Sequence, residues 1–101
     1  MPNLEGSEQK KTIKYLETTF DALVLKHIRC SDGGVPDLQV FLGAPYPSFF
    51  IEMKTKKGKL LQSQIDMGEE IRGKGVLVYV LYGFDRDRID SIVKEVKGRQ
   101  K

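Results

Sequence analysis

Apolar residues at Ile13, Leu16 and Phe20 recur at the spacing of one helical face, and Ser7 ahead of them is a good N-cap, so the pattern predicts a first helix over residues 7–20. Glu8 then lies in its first turn. From Ala22 to Cys30 the run is rich in β-formers and closes on Ser31-Asp32-Gly33-Gly34, which predicts strand one followed by a turn. A second strand follows over 37–42, a turn through Gly43-Ala44-Pro45-Tyr46-Pro47, and a third strand over 48–54, antiparallel to the second. After a basic loop over 55–59, Leu61, Ile65, Gly68 and Ile71 mark the apolar stripe of a second helix over 61–72, ending at Gly73. Val76 to Tyr82 is a continuous apolar run between Gly75 and Gly83, the pattern of a strand buried on both faces. Asp85 opens a last helix whose Ile89, Ile92, Val93 and Val96 form the most regular stripe in the chain. The order αβββαβα, with its first three strands as a β-meander, predicts an α/β fold.

A chain of 101 residues suits one domain, with an ordered core over about 7–96 and a basic end at 97–101. With 40% hydrophobic and 31% charged residues it has a globular composition, not that of a disordered chain. The run 76–82 is only about a third of the roughly 20 residues that cross a bilayer as a helix, so no membrane span is expected. Asn3, Glu5 and Glu8 do not make the basic n-region of a secretory signal, and a cytoplasmic location is expected. Cys30, the one cysteine, excludes an internal disulfide and a thiolate-rich metal site and reads as an idle thiol. The net charge of +3 and pI near 9.0 permit a polyanionic partner without requiring one.

The chemistry concentrates in Phe49-Phe50-Ile51-Glu52-Met53-Lys54. Alternation puts Phe49, Ile51 and Met53 on one face of the strand and Phe50, Glu52 and Lys54 on the other. Taken alone, this could be a half-exposed strand with an ion pair worth less than about 1 kcal/mol. Asp37, however, follows Pro36, whose fixed φ presents the carboxylate where a strand begins. In an Asp37–Lys54 hairpin the carboxylates of Asp37 and Glu52 come side by side, a hard-oxygen pair suited to Mg²⁺ or Mn²⁺. Lys54, two residues beyond Glu52, projects toward the same place, where it can orient an attacking water or neutralise charge developing on a phosphodiester.

Gly34-Val35-Pro36-Asp37-Leu38 followed by Ile51-Glu52-Met53-Lys54, with fourteen residues between Asp37 and Glu52, resembles the motif pair of the PD-(D/E)XK nucleases, and more narrowly the VRR-NUC branch. The likeness runs from Glu8 to about Val80 and implies a restriction-endonuclease-like α/β core, with a central mixed four-stranded sheet flanked by helices. It implies that Glu8 completes the metal site, with Glu5 a nearby competitor, and that the backbone carbonyl of Met53 also ligates the ion. It further implies that Gln64 lies near the catalytic lysine, since Gly58-Lys59-Leu60-Leu61-Gln62-Ser63-Gln64 follows the branch's spacing and favours Gln64 over Gln62. Asp37, Glu52 and Glu8 would hold one or two ions while Lys54 and Gln64 serve the nucleophilic water. The length resembles the stand-alone viral or phage members, which implies a homodimer in the cytoplasm of a bacterial host. A two-fold pair of sites would suit a branched DNA such as a four-way (Holliday) junction.

DNA contacts are expected from Lys56, Lys57 and Lys59 beside Lys54, with Lys94, Lys97, Arg99 and Lys101 as a second patch. Gly68 to Lys74 imitates a P-loop but has Gly75 where Ser or Thr is required and runs from helix to strand, so it is set aside. His27 has no ligand partner and reads as structural, and Tyr15, Tyr46, Tyr79 and Tyr82 read as packing residues. The rivals to a junction-selective enzyme are a non-specific, flap-cutting or restriction-type nuclease, and a catalytically idle DNA-binding module of the same fold.

Overall fold

The computed structural model describes residues 4–27, 36–55 and 57–99, and side chains from Gly6 onward. Its elements are α1 (Leu4–Phe20), β1 (Leu23–Lys26), β2 (Leu38–Phe41), β3 (Phe49–Lys54), α2 (Gln62–Gly73), β4 (Leu77–Tyr82) and α3 (Arg86–Gly98), in the αβββαβα order expected. The sheet order is β1-β2-β3-β4. β1–β2 and β2–β3 pair antiparallel and β3–β4 parallel, so the sheet is mixed. Cys30, the Ser31–Gly34 turn, Val35, Lys56, Lys101 and the Glu5 side chain lie outside the described residues.

The pleat sorts the chemistry. Phe49, Ile51 and Met53 are fully buried with Leu38 and Val40 of β2, Leu81 of β4, Leu16 of α1, and Ile89, Ile92, Val93 and Val96 of α3. One sheet face is thus the apolar core under α1 and α3. The opposite face carries Phe50, Glu52 and Lys54, and α2 lies over its β4 side. There Arg72 donates from Nε and Nη2 to the carbonyl of Val78, at 3.3 and 2.8 Å.

Four expectations are corrected. α1 starts a turn before Ser7, which is a helix residue and not a cap; no proline separates Leu4 from Ser7 to stop the helix extending back. β1 ends at Lys26, and His27 beyond it donates its backbone N–H to the Asp37 carbonyl at 2.7 Å. β1 is a largely exposed edge strand. β4, the opposite edge of the sheet, is not buried on both faces: half of its residues are only partly buried, and Tyr82 at its end is exposed. The stripe expected on α2 is misphased: Leu61 and Ile65 are 60% and 36% exposed, whereas Gln64 and Gly68 face inward. α3 keeps its expected face, and Asp85 caps it by accepting the Arg88 N–H at 3.1 Å.

Tyr79 of β4 packs edge-on against Phe49 at 5.9 Å, with the Arg88 guanidinium over its ring. Its hydroxyl is buried with no well-formed hydrogen bond among the described residues. Burial first, then the nearby Glu95 carboxylate, pushes the phenol up to about 12. A folded pKa above the ordinary 10.0 means that ionising the phenol opposes folding, so the group takes nothing from stability below pH 10.0 and lowers it as pH rises toward 12. Tyr79→Phe should therefore melt no lower than the native chain at pH 7 and lose less stability between pH 10 and 12. Parallel melting curves for the two across that window would show that Tyr79 does not titrate with folding.

Candidate active site

Asp37 directly precedes β2. Continuing the β2–β3 register, in which Leu38 opposes Ile51, one step outward sets Asp37 opposite Glu52. Residues directly opposed in an antiparallel pair project from the same face. Asp37 is 3% exposed, and its Oδ2 accepts the Met53 backbone N–H at 2.9 Å, which ties the carboxylate to β3.

Glu52 is likewise 3% exposed, and two donors converge on its Oε2: the Gln64 amide at 3.1 Å and the Lys54 ammonium at 3.9 Å. The N-terminus of α2 fixes the amide. Leu61, its N-cap, has no side-chain acceptor, so only the reciprocal half of a capping box forms, with Gln64 Oε1 accepting the Leu61 N–H at 2.9 Å. With the carbonyl end of the amide so engaged, its NH₂ must face Glu52. Gln62, two residues earlier, bonds Asp66 on the exposed side. The misphasing of α2 follows: its inward face meets an ionic site, not an apolar one.

Lys54 is only 8% exposed. Its carbonyl accepts the Gly83 N–H at 2.7 Å, which extends the parallel β3–β4 pairing. The next residue, Phe84, donates its N–H to Glu8 Oε2 at 2.7 Å. Glu8 is thus joined to the Lys54 end of the sheet through the Gly83-Phe84 corner. It is not gathered with Asp37 and Glu52: among the described residues no three acidic, His or Cys side chains form a metal-holding group. Asp37, Glu52, Lys54 and Gln64 form one buried set, with the Met53 backbone at its edge and Glu8 one hydrogen-bonded corner away.

Lys57 and Lys59 are exposed in the β3–α2 loop, where Gly58 turns back to bond the Thr55 carbonyl at 2.9 Å. Lys94, Lys97 and Arg99 are exposed on or just after α3, with Lys97 lying over the Phe20 and Tyr46 rings. His27 lies 3.3 Å from the Gln39 side chain and packs beside Phe50, so its partners are those of a structural residue. No helix among the described residues is long and apolar enough to cross a membrane. The sequence reading missed the Phe84 N–H as the partner of Glu8, a contact across 76 positions that no local pattern encodes. It also missed Lys11, Lys14 and Arg86, which line one cleft with Phe84. The i, i+3 spacing of the two lysines was the available signal.

A family model described as the VRR-NUC domain matches residues 4–85. A solved structure described as "VRR_NUC domain" is similar at 28% identity and a TM-score of 0.75, covering 92% of this chain and 97% of its own. A second, "VRR_NUC domain protein", shares the fold at 14% identity and a TM-score of 0.69, covering 95% of this chain and 89% of its own. No curated protein matches the chain.

Proposed function

The chain belongs to the VRR-NUC domain family and carries its nuclease-type fold; from that premise we propose that it is a divalent-metal-dependent DNA endonuclease acting on branched DNA as a homodimer. The observation that carries the reading is the burial of three ionisable side chains, Asp37, Glu52 and Lys54, on one sheet face. Desolvating an ion costs several kcal/mol, and a sheet serving only structure gains nothing from doing so three times. Sites that work on charged substrates have such groups.

The donor set fits Mg²⁺ or Mn²⁺. Two buried carboxylates and an adjacent backbone carbonyl are hard oxygen donors, and these ions commonly take one or two carboxylates, leaving the other positions to water and phosphate oxygens. Asp37, Glu52 and the Met53 carbonyl would hold the ion. Glu8 would join through a water, or directly on leaving the Phe84 N–H. Bound there, the ion would lower the pKa of a water and draw charge from the phosphoryl oxygens.

The remaining work falls to the chain's own groups. Lys54 is held at the carboxylates by burial and by Glu52, where its ammonium can donate to the incoming water or to a non-bridging phosphate oxygen as negative charge grows. Gln64 acts through Glu52, fixing the carboxylate that Lys54 faces. Lys56, Lys57 and Lys59 follow Lys54 directly in the chain and would meet backbone phosphates as point charges.

The test is cleavage of labelled duplex, flap and four-way junction DNA with Mg²⁺, Mn²⁺ or EDTA. Metal-dependent cleavage with paired symmetric cuts in the junction is expected. Binding without cleavage under every metal condition would instead identify an idle DNA-binding module. Cleavage of duplex, flap and junction at equal rates would remove the branch preference and leave a general nuclease.

A further inference from the structure

We propose that a cleft of about 360 Å³ between α1 and the start of α3, lined by Lys11, Lys14, Tyr15, Thr18, Phe84 and Arg86, holds the phosphate backbone of the DNA strand flanking the cleaved bond. This rests on the nuclease reading for the strand's register against Lys54. The cleft's own chemistry does not.

Glu8, Lys11, Tyr15 and Thr18 lie at i, i+3, i+7 and i+10, on one face of α1. Across from them Phe84 and Arg86 come from the corner between β4 and α3, and Arg86 lies over the Tyr15 ring at 5.6 Å. Tyr15 and Phe84 meet edge to face at 5.8 Å and supply apolar ring surface. Three cations therefore line a cleft with an aromatic lining, a combination suited to a phosphodiester with its sugar.

Three acids stand beside the cleft, each acting on one of its lining residues and not on its cations. Asp90 accepts the Tyr15 hydroxyl at 2.6 Å, and Glu8 accepts the Phe84 N–H. Asp87 also acts on Tyr15. The ion pairs of the described residues, Glu52–Lys54 and Glu95–Arg99, include none of the three cations. Thr18 donates its hydroxyl to the Lys14 carbonyl, which leaves the cations as the cleft's anion donors.

Position argues for a strand and not a small anion. Gly83 bonds the Lys54 carbonyl and Phe84 bonds Glu8, so two consecutive residues connect the candidate active site to this cleft. Glu8 and Lys14 are six residues apart, roughly 9 Å along the helix axis. A span of that length exceeds a single phosphate and suits a short run of phosphodiester backbone.

The experiment is binding of a fluorescent DNA duplex by anisotropy in EDTA, where no cleavage intervenes, over a series of salt concentrations. Lys11→Ala/Lys14→Ala/Arg86→Ala is compared with the native chain and with Lys10→Ala/Lys26→Ala/Lys74→Ala, which removes equal charge from positions assigned to no DNA contact. All six positions are exposed, and circular dichroism checks that each variant is folded. The cleft variant should bind about tenfold weaker or worse, with its salt slope reduced by about 2 to 3, near 0.9 for each phosphate no longer neutralised. The control should change much less. Equal losses in both variants, or no binding by the native chain at low salt, would overturn the proposal. So would displacement of the duplex by millimolar inorganic phosphate at constant ionic strength, which would mark a small-anion site. A native chain that binds through the cleft yet never cleaves sinks the nuclease reading alone. One that cleaves while the cleft variant binds normally sinks only this proposal.

Discussion

Asp37→Asn is expected to reduce metal-dependent cleavage about a thousandfold or more while leaving the fold intact. The asparagine carbonyl can still accept the Met53 N–H, so the bond that ties residue 37 to β3 is retained. What is lost is the charge. A bound divalent ion contributes several kcal/mol of transition-state stabilisation, and each 1.36 kcal/mol is a factor of ten, so about 4 kcal/mol corresponds to about a thousandfold. Lys54→Ala should lose about a hundred- to a thousandfold, the range for removing one preorganised donor from developing charge. Gln64→Ala, acting only through Glu52, should lose about ten- to a hundredfold. Single-turnover cleavage with saturating Mn²⁺ is the measurement. Activity within a few-fold of native in Asp37→Asn would mean that the reacting phosphate is held elsewhere on the chain.

The site was legible wherever charge had to sit among apolar residues. The Pro36-Asp37 step and the alternation of Phe49 to Lys54 are local signals, and the β2–β3 register brings them together through Leu38 and Ile51. α3 was legible because its inward face meets hydrocarbon only: Ile89, Ile92, Val93 and Val96 are all buried. α2 was not. Periodicity assumes that the inward face is the apolar one, but over Glu52 that face must supply hydrogen bonds, so Gln64 turns inward and Leu61 and Ile65 outward. β4 misled for a different reason. A continuous apolar run reads the same in a central strand and in an edge strand, and only the sheet order separates the two. The Glu8–Phe84 bond and the cleft beside it depend on packing α1 against the corner between β4 and α3, which follows from topology and not from any window of sequence.

Removing the cation from the buried set should cost stability as well as activity. Lys54→Met keeps the length and packing of the stem but leaves the Glu52 and Asp37 carboxylates buried without the ammonium. Breaking a buried ion pair from one side typically costs about 3–5 kcal/mol, because the Coulomb attraction is lost while the remaining charge stays desolvated. The double variant Glu52→Gln/Lys54→Met removes both charges and retains an amide oxygen for the Gln64 NH₂. It should regain most of the loss, since a neutral isosteric replacement of a buried pair is often neutral or stabilising. Urea unfolding at pH 7 in EDTA measures both. Adding Mg²⁺ separates site from scaffold: an ion bound between the carboxylates replaces the missing positive charge and stabilises Lys54→Met by RT ln(1 + [Mg²⁺]/Kd), an effect that should be smaller once Glu52 is neutral. A cost under about 1 kcal/mol for Lys54→Met would place the pair in the range of solvated surface bridges. The burial of charge would then no longer single out this face as the working one.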